Sequence, residues 1–471
     1  MTLKRPPPSF ETSADVLVIG AGAAGLCAAL AANEVGASVV LVERDPVPRG
    51  STALSAGLIP AAGTRFQREF GIADDIDAFA ADIQTKAHGE ADEGLVRLVA
   101  HRAGPTIEWL ADRYALPFSV VRDFDYPGHS ARRMHGLATR SGGELIDTLR
   151  AAVERTEATL LVGAAAVALY VDDDKRVHGV EIERRDGSCE ALGCGQLILA
   201  CNGYGGNREL IARHIPAMGG ALYFGHPGNR GDALQWGEAM GAKLSHLSGY
   251  QGHGSVAHPH AILITWATIM EGGFQVNADG ERFCDESRGY SEQAVDVLAQ
   301  PGGVAFTIFD ERIACIARQF EDFRQAELAG AVLRADSVEQ LARSLKLPVS
   351  ALMATLGAVE TLKRRPGADK FGRDLEGQPT LSAPFMGVRV TGALFHTQGG
   401  LVVDGCAGVV DEFGSAMPNL FAAGGAAAGV SGSRASGYLS GNGLLTATVL
   451  GRVAGGAAAR REKSRKATAR F

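Results

Sequence analysis

Short apolar runs that lead into glycine-rich turns recur along the chain. Residues 15–19 read DVLVI and precede GAGAAGLCAALAANEVGA, a turn followed by a stretch rich in alanine and leucine. Continuous apolar runs of this kind are typical of strands buried in a parallel sheet, and the alanine-rich stretch predicts a helix. Two later runs, QLILA at 196–200 and NLFAA at 419–423, also lead into small residues. The pattern predicts strand–turn–helix units whose backbone passes close to a ligand.

The first unit carries a dinucleotide-binding fingerprint. Gly20, Gly22 and Gly25 occupy the glycine positions of G-x-G-x-x-G. In this motif the first glycine makes the turn, the second admits a pyrophosphate and the third allows close packing of helix and strand. The start of the helix offers free N–H groups to the phosphates. A second strand, SVVLVE, ends at Glu43, whose carboxylate can accept hydrogen bonds from ribose hydroxyls.

Three further segments favour FAD over NAD as the dinucleotide. RGSTALSAG at 49–57 can follow the pyrophosphate and the flavin edge, and ACNGYGGN at 200–207 suits contact with adenosine. The glycine-rich residues 419–432 precede a helix that starts near LSGNG at 439–443, and its positive end would stabilise a reduced flavin. The sequence has no second G-x-G-x-x-G in its middle, which argues against a separate NAD domain. The predicted FAD-binding residues are Gly20, Gly22, Ala23, Ala24, Gly25, Glu43, Arg44, Ser51, Thr52, Ser55, Gly57, Ala166, Ala200, Asn202, Gly203, Asn207, Asp232, Gly424, Gly425, Asn442, Gly443 and Leu444.

Composition and charge argue against several other classes of protein. The 471 residues suffice for two or three domains, and the net charge of −7 argues against a large nucleic-acid-binding surface. The seven cysteines are scattered without a C-x-x-C pair, so no disulfide framework, metal site or haem attachment is predicted. The sequence contains no apolar run long enough for a membrane span and no signal peptide at its start, so we expect a cytoplasmic enzyme.

Taken together, several segments resemble the flavoprotein subunits of the fumarate reductase and succinate dehydrogenase superfamily. Besides the fingerprint, they are STALSAG, ACNGYGGN, GDALQWGEAMGA, VNADGERFCDE, HTQGG and AAGGAAAG. The resemblance implies an α/β fold, in which a Rossmann-like FAD-binding domain, a parallel sheet with flanking helices, is interrupted by a smaller α+β capping domain. The expected division is a flexible N-terminal arm at 1–13, the FAD-binding domain at 14–249 and 391–456, the capping domain at 250–390 and a basic tail at 457–471.

Within this superfamily, the site pattern resembles the 3-ketosteroid dehydrogenases more than the soluble fumarate reductases. Tyr290 and Tyr438 match the tyrosines with which the ketosteroid dehydrogenases remove a proton and bind the ketone oxygen. The fumarate reductases have arginines at both places. The resemblance also implies that the N–H of Gly441 completes the oxyanion site beside Tyr438.

Four more residues are candidates for binding the substrate. His253 and His396 match the histidines that hold substrate carboxylates in the fumarate reductases. Arg434 and Ser440 lie in the glycine-rich segment around Tyr438. Histidines of the carboxylate-binding type beside tyrosines of the ketone-binding type suggest a substrate with an acid at one end and a carbonyl at the other.

The predicted reaction is therefore desaturation of a cyclic ketone, with a carboxylate-bearing ring such as 4-oxocyclohexanecarboxylate as one candidate. A base removes the α proton, two donors stabilise the enolate, and flavin N5 accepts the β hydride. The alternatives are a 3-ketosteroid dehydrogenase, a fumarate-type or other enoate reductase and a flavin-binding redox sensor. The electron acceptor stays open between a quinone, oxygen and a redox partner.

We predict that the FAD is bound without a covalent link. By the resemblance, a histidine in the loop after the first βαβ unit makes that bond in succinate dehydrogenases, whereas this chain has Gly50, Ser51 and Thr52 there. Acid precipitation of the purified yellow protein should leave intact FAD in the supernatant, measured by absorbance and chromatography. Flavin that stays with the precipitated polypeptide would contradict this assignment. NADH should reduce the flavin only slowly, because no nicotinamide domain is predicted.

Overall fold

The computed structural model describes residues 2–123 and 125–468. The helices are α1 (Ala23–Glu34), α2 (Arg65–Arg68), α3 (Ile76–Lys86), α4 (Glu93–Tyr114), α5 (Gly142–Glu154), α6 (Arg208–His214), α7 (Asp232–Met240), α8 (Ala267–Met270), α9 (Tyr290–Leu298), α10 (Glu311–Ala317), α11 (Glu321–Leu328), α12 (Val338–Leu345), α13 (Val349–Lys363) and α14 (Asn442–Thr468). The strands are β1 (Thr2–Lys4), β2 (Thr12–Ile19), β3 (Val39–Val42), β4 (Ile59–Pro60), β5 (Ser119–Val120), β6 (Met134–Gly136), β7 (Thr159–Leu161), β8 (Ala164–Val171), β9 (Val177–Arg184), β10 (Cys189–Leu199), β11 (Leu222–Tyr223), β12 (Leu244–Ser245), β13 (Tyr250–Ala257), β14 (Ile262–Leu263), β15 (Phe274–Val276), β16 (Val304–Asp310), β17 (Val332–Ala335), β18 (Phe385–Thr397), β19 (Gly400–Leu401), β20 (Gly408–Val410) and β21 (Ala416–Ala422).

A parallel sheet lies at the centre of the part of the chain that carries the fingerprint. The strands β21, β10, β2, β3 and β7 run parallel in that order, and β8 and β9 extend the sheet beyond the first half of β10 in antiparallel fashion. Val16, Leu17 and Val18 of β2 are fully buried, and helices α1 and α14 pack against this sheet. The predicted α/β class with a parallel sheet is confirmed.

Two helices from opposite ends of the sequence, α1 and α14, pack closely on this sheet. A Cβ added at Gly451 or Gly455 of α14 would overlap the carbonyl oxygen of Ala24 or Ala28 in α1. Glycine on one helix and alanine on the other therefore allow the two backbones to approach more closely than larger side chains would permit. This contact places the start of α1 beside Gly451, the tenth residue of α14.

The second large sheet is built around β18. Among the described residues, β13 and β16 flank β18 in antiparallel fashion, β14 and β15 form the edges, and β11 and β17 pair with the remaining parts of β18. We use the term cap for residues 250–390, which contribute most of this sheet and the helices α8 to α13. The expected boundary at 390 falls inside β18, which runs without a break from Phe385 to Thr397. One strand thus connects the cap to the segment that contains His396.

The two ends of the chain differ from the expected arm and tail. Thr2–Lys4 is a strand that pairs with β8, and Lys4 forms an ion pair with Glu181, so the expectation of a flexible arm is wrong for these residues. The segment after residue 456 continues α14 to Thr468 instead of forming a separate tail. Its alanine-rich sequence favours a helix, and buried Glu462 accepts a hydrogen bond from Gln196 of the central sheet at 3.0 Å. Residues 469–471 lie outside the described part. None of the described helices combines the length and the apolar character needed to span a membrane.

The contact between α1 and α14 predicts opposite effects for neighbouring glycines. Gly455→Ala should lower the free energy of unfolding by about 1–3 kcal/mol and weaken FAD retention, because the new methyl group would force the helices apart. Gly456→Ala is the matched control. Its Cβ would meet only the flexible end of Arg460, so the higher helix propensity of alanine should leave stability unchanged or raise it by up to about 1 kcal/mol. Thermal unfolding measures the stability of both variants, and the FAD content of the purified proteins measures cofactor retention. Equal losses of stability and FAD in the two variants would refute the proposed role of this contact.

Candidate active site

The carboxyl ends of β2, β3 and β10 open into a cleft, which we call the glycine cleft. In a parallel sheet, such a cleft between neighbouring strand ends is where dinucleotides bind. Ten of the predicted FAD-binding residues line it, namely Gly20, Gly22, Glu43, Arg44, Ser51, Thr52, Ala166, Ala200, Asn202 and Asp232. The lining also includes residues that the sequence analysis missed: Ile19, Val42, Gly50, Ala164, Cys201, His226, Gly228 and Asn229.

The backbone of the glycine cleft fits a pyrophosphate. Gly20 has φ +100° and lies so close to β10 that a Cβ would be 2.6 Å from the carbonyl oxygen of Ala200. Beside Gly22, in contrast, the nearest heavy atom to an added Cβ is Thr52 Oγ1 at 3.5 Å. Gly22 directly precedes α1, so phosphate oxygens can approach the N–H groups at the start of this helix. Gly25 packs against Gly20, as the fingerprint predicts for its third glycine.

Acidic side chains of the glycine cleft fit the hydroxyl groups of a nucleoside. Asp232 Oδ2 accepts a hydrogen bond from Arg44 Nη2 at 2.8 Å, while buried Asp232 Oδ1 has no partner among the described residues. The Glu43 carboxylate accepts hydrogen bonds from the N–H groups of Ala21 and Asp45, which fix it at the end of β3. A buried carboxylate oxygen without a donor is costly, and a ribose hydroxyl would satisfy it.

A second cleft lies between the cap and the start of α14, and we call it the aromatic cleft. Ser51, Thr52 and Asn202 line both clefts, so a dinucleotide could extend from one into the other. The aromatic cleft also brings together the predicted residues Ser55, Gly424, Gly425, Gly443 and Leu444 with His253, Tyr290, His396, Tyr438, Ser440 and Gly441. Residues that are about 150 positions apart in sequence therefore share one cavity wall.

Stacked rings hold Tyr290 and His253 in the aromatic cleft. The ring of His253 stacks on Tyr290 with centroids 4.7 Å apart and on Phe395 with centroids 5.2 Å apart. Trp266 packs edge-on against both His253 and Tyr290. Tyr438 lies on the other side of Tyr290, with ring centroids 6.1 Å apart. The two tyrosines thus form adjacent parts of the same surface.

Burial keeps both tyrosines protonated at neutral pH. It raises the pKa of Tyr290 well above its ordinary value, and the neighbouring Tyr438 adds to this shift, whereas a hydrogen bond with the Ser440 side chain opposes it. Burial also raises the pKa of Tyr438, against the influence of the N–H groups of Gly443 and Gly441. Tyr438 Oη accepts a hydrogen bond from Gly443 N–H at 3.2 Å, which leaves its own proton available for a ligand.

Both histidines of the aromatic cleft are neutral. Burial lowers the pKa of His253 to about 3 and that of His396 to about 4. His253 Nδ1 accepts a hydrogen bond from Ser255 N–H at 3.2 Å, so its proton lies on Nε2. His396 lies at the end of β18, edge-on to Tyr438 with ring centroids 5.6 Å apart, and its Nδ1 is within 3.0 Å of Gln398 Nε2. Without a bound anion, burial therefore favours the neutral form of both rings.

Several predicted site residues face away from both clefts. The side chain of Arg434, predicted to bind substrate, is 62% exposed and pairs with Glu90 at 2.7 Å. The side chain of Asn207, predicted to contact the cofactor, accepts hydrogen bonds from the N–H groups at the start of α6. Gly57 and Gly203 pack against Ser141 and Thr397 rather than facing a cleft, as an added Cβ would overlap those residues.

The remaining predicted cofactor residues support the cleft walls. Ala23 donates its N–H to Thr52 Oγ1 at 3.1 Å, and Ala24 contacts Gly424 and Gly451. Asn442 is buried at the start of α14, where its side chain donates to Ser431. Sequence reasoning missed Tyr126, Phe224, Phe320, Asp322 and Phe395 in the lining of the aromatic cleft, since none of them lies in a recognisable motif.

Comparison with known proteins assigns these clefts to a family. The chain matches the family described as FAD binding domain over residues 15–444. It belongs to this FAD-binding family. A probable fumarate reductase of Shewanella frigidimarina is 31% identical over 453 residues, which cover 96% of this chain and 76% of that protein. The family confirms the predicted superfamily and the FAD cofactor, and this FAD-binding protein is an oxidoreductase.

Solved structures of related FAD-binding proteins agree with the fold. The open conformation of a flavocytochrome c3 fumarate reductase is 30% identical, with a TM-score of 0.81, and the match covers 96% of this chain and 79% of that one. A 3-ketosteroid-Δ4-(5α)-dehydrogenase from Rhodococcus jostii RHA1 shares the fold at 24% identity, with a TM-score of 0.74 and coverage of 96% and 98%. The fold is therefore common to fumarate reductases and ketosteroid dehydrogenases, and the side chains of the aromatic cleft must distinguish the two activities.

Proposed function

We propose that this FAD-dependent oxidoreductase desaturates a cyclic ketone between the α and β carbons. The observation that carries this proposal is the pair Tyr290 and Tyr438 in one buried wall of the aromatic cleft. The described residues that line this cleft include no lysine or arginine. An uncharged carbonyl group suits such a wall better than a dicarboxylate does, because a buried anion needs a compensating charge.

The ketone oxygen would bind at Tyr438. Its hydroxyl oxygen already accepts a hydrogen bond from Gly443 N–H, so the hydroxyl proton is available for donation to a ligand. As negative charge develops on the ketone oxygen, this donor strengthens, which is the role of an oxyanion site. Gly441 would act mainly through Tyr438, because the N–H of Gly441 lowers the pKa of the Tyr438 hydroxyl.

Tyr290 would exchange a proton with the α carbon. Its raised pKa means that it is protonated at neutral pH, so the ionised form that accepts the α proton becomes more abundant as the pH rises. In the reverse direction, the protonated form can donate to the α carbon of an enone. Bound FAD would supply the acceptor for the β hydride. Tyr438 would therefore act at the carbonyl oxygen and Tyr290 at the α carbon.

Reduction of an enoate is the second candidate function. The relative from Shewanella frigidimarina, a probable fumarate reductase, favours it at 31% identity. Burial disfavours the charged forms of His253 and His396, so a carboxylate substrate would be held by neutral N–H donors or would have to raise the pKa of these rings on binding. The electron acceptor is proposed to be a quinone, oxygen or a redox partner.

Anaerobic addition of a cyclic ketone should bleach the flavin absorbance of the oxidised enzyme. Tyr438→Phe should slow this bleaching by about 10²–10³, because it removes one oxyanion donor. Tyr170→Phe is the matched control, since that hydroxyl lies outside the cleft beside Glu181 and its loss should leave the rate unchanged. The proposal fails if no ketone bleaches the flavin while fumarate or another enoate reoxidises the reduced enzyme.

The hydrogen bond between Ser440 and Tyr290 predicts a change in the pH profile. Ser440 lowers the pKa of Tyr290, so its removal in Ser440→Ala should raise that pKa further. Because ionised Tyr290 is the base, the rising alkaline limb of the desaturation rate should move to higher pH. Ser436→Ala, which removes a hydroxyl bonded to His88 in the same segment, should leave the profile unchanged. Anaerobic stopped-flow traces over a pH series measure the shift, and an unmoved limb in Ser440→Ala would rule Tyr290 out as the base.

A further inference from the structure

The cap contributes one carboxylate to the wall of the aromatic cleft. Asp322 lies in the first turn of α11 and lines the cleft near Phe320 and Leu263. It is the only carboxylate among the described residues that line this cleft, and the same lining has no lysine or arginine. The ketone-binding hydroxyl of Tyr438 belongs to the FAD-binding part, so the two polar groups lie on walls from different parts of the chain.

Asp322 is unpaired, unlike its neighbour in the sequence. Glu321 pairs with Arg324 at 2.5 Å, whereas Asp322 makes no hydrogen bond or ion pair with any side chain of the described residues. Burial, with a smaller contribution from the charge of Glu321, raises the pKa of Asp322 to about 7. A half-buried carboxylate without a partner is stabilised by any cation that enters the cleft.

The surroundings of Asp322 also suit a cation. Tyr126 and Phe224 add aromatic rings to the lining, and ring faces attract positively charged groups. The ring of Phe320 already faces the guanidinium of Arg140, whose Cζ is 5.8 Å from the ring centroid. A carboxylate on the ligand would instead be repelled by ionised Asp322. The negative charge of Asp322 therefore favours a positively charged ligand, whereas the sequence suggested a negatively charged one.

We propose that Asp322 is a specificity-determining residue that binds a positively charged amine on the part of the substrate lying under the cap. This inference rests on the proposed function, because it takes the carbonyl end of the substrate to be held by Tyr438. The substrate class is then a cyclic ketone that carries a basic amine. The ammonium group would donate a hydrogen bond to the Asp322 carboxylate and leave the ring free to face the tyrosines.

Three matched ketones test this inference on the FAD-loaded enzyme. They are 4-(dimethylamino)cyclohexanone, its uncharged isostere 4-isopropylcyclohexanone and anionic 4-oxocyclohexanecarboxylate. The half-saturating concentration for flavin bleaching should be about tenfold or more lower for the amine than for the isostere, and highest for the acid. Asp322→Asn should abolish the preference for the amine without changing the value for the isostere. Glu321→Gln, the matched control, should retain the preference.

Binding of a simple cation separates this inference from the proposed function. Perturbation of the flavin spectrum by N,N-dimethylcyclohexylammonium, compared with cyclohexanecarboxylate, needs no ketone chemistry. If the cation binds and Asp322→Asn weakens this binding about tenfold, the inference is supported even if no ketone bleaches the flavin. Ketones that bleach the flavin without any preference for the amine would overturn the inference and leave the proposed function intact. FAD content and thermal unfolding check that Asp322→Asn is folded, and Asp322→Ser serves as a second variant.

Discussion

The close contact between α1 and α14 is the constraint on which the site depends. Gly451 and Gly455 let the last helix lie against the carbonyl groups of the first, so the two ends of the sequence meet at one position. The start of α1 provides the phosphate-binding backbone, and the start of α14 provides Gly443 and the hydrogen bond to Tyr438. A larger side chain at this contact would separate the glycine cleft from the aromatic cleft.

Exclusion of charge determines the chemistry of the aromatic cleft. Tyr290 and Tyr438 are protonated and His253 and His396 are uncharged, in each case because burial disfavours the ionised form. Such groups act as hydrogen-bond donors and acceptors without fixed charge, which suits a carbonyl substrate. Asp322 is the exception in the described lining, and it comes from the cap rather than from the wall around the tyrosines.

The sequence predicted the parts of the site that obey local rules. The fingerprint glycines and Glu43 follow from a short motif. The positions of Tyr290 and Tyr438 came from the resemblance to the ketosteroid dehydrogenases, and the structure brings these two residues together across a long sequence separation. The ion pair of Arg434 with Glu90 could not be predicted, because it depends on a distant segment. The helical course of the C-terminal residues was missed for a similar reason, since buried Glu462 is held by Gln196 of the central sheet. Asp322 lay outside every motif, and only the folding of α11 over the cleft gives it a role.

The unbroken course of β18 has a mechanical consequence. This strand is hydrogen-bonded to β13, β16 and β17 of the cap and continues to Thr397, so His396 is part of the same rigid ladder. Outside the cap, β11 pairs with the same strand at Ala393 and Leu394, so the end of β18 that carries His396 is held by strands from both parts of the chain. A rotation of the cap relative to the central sheet would therefore have to bend β18 or break its pairing with β11.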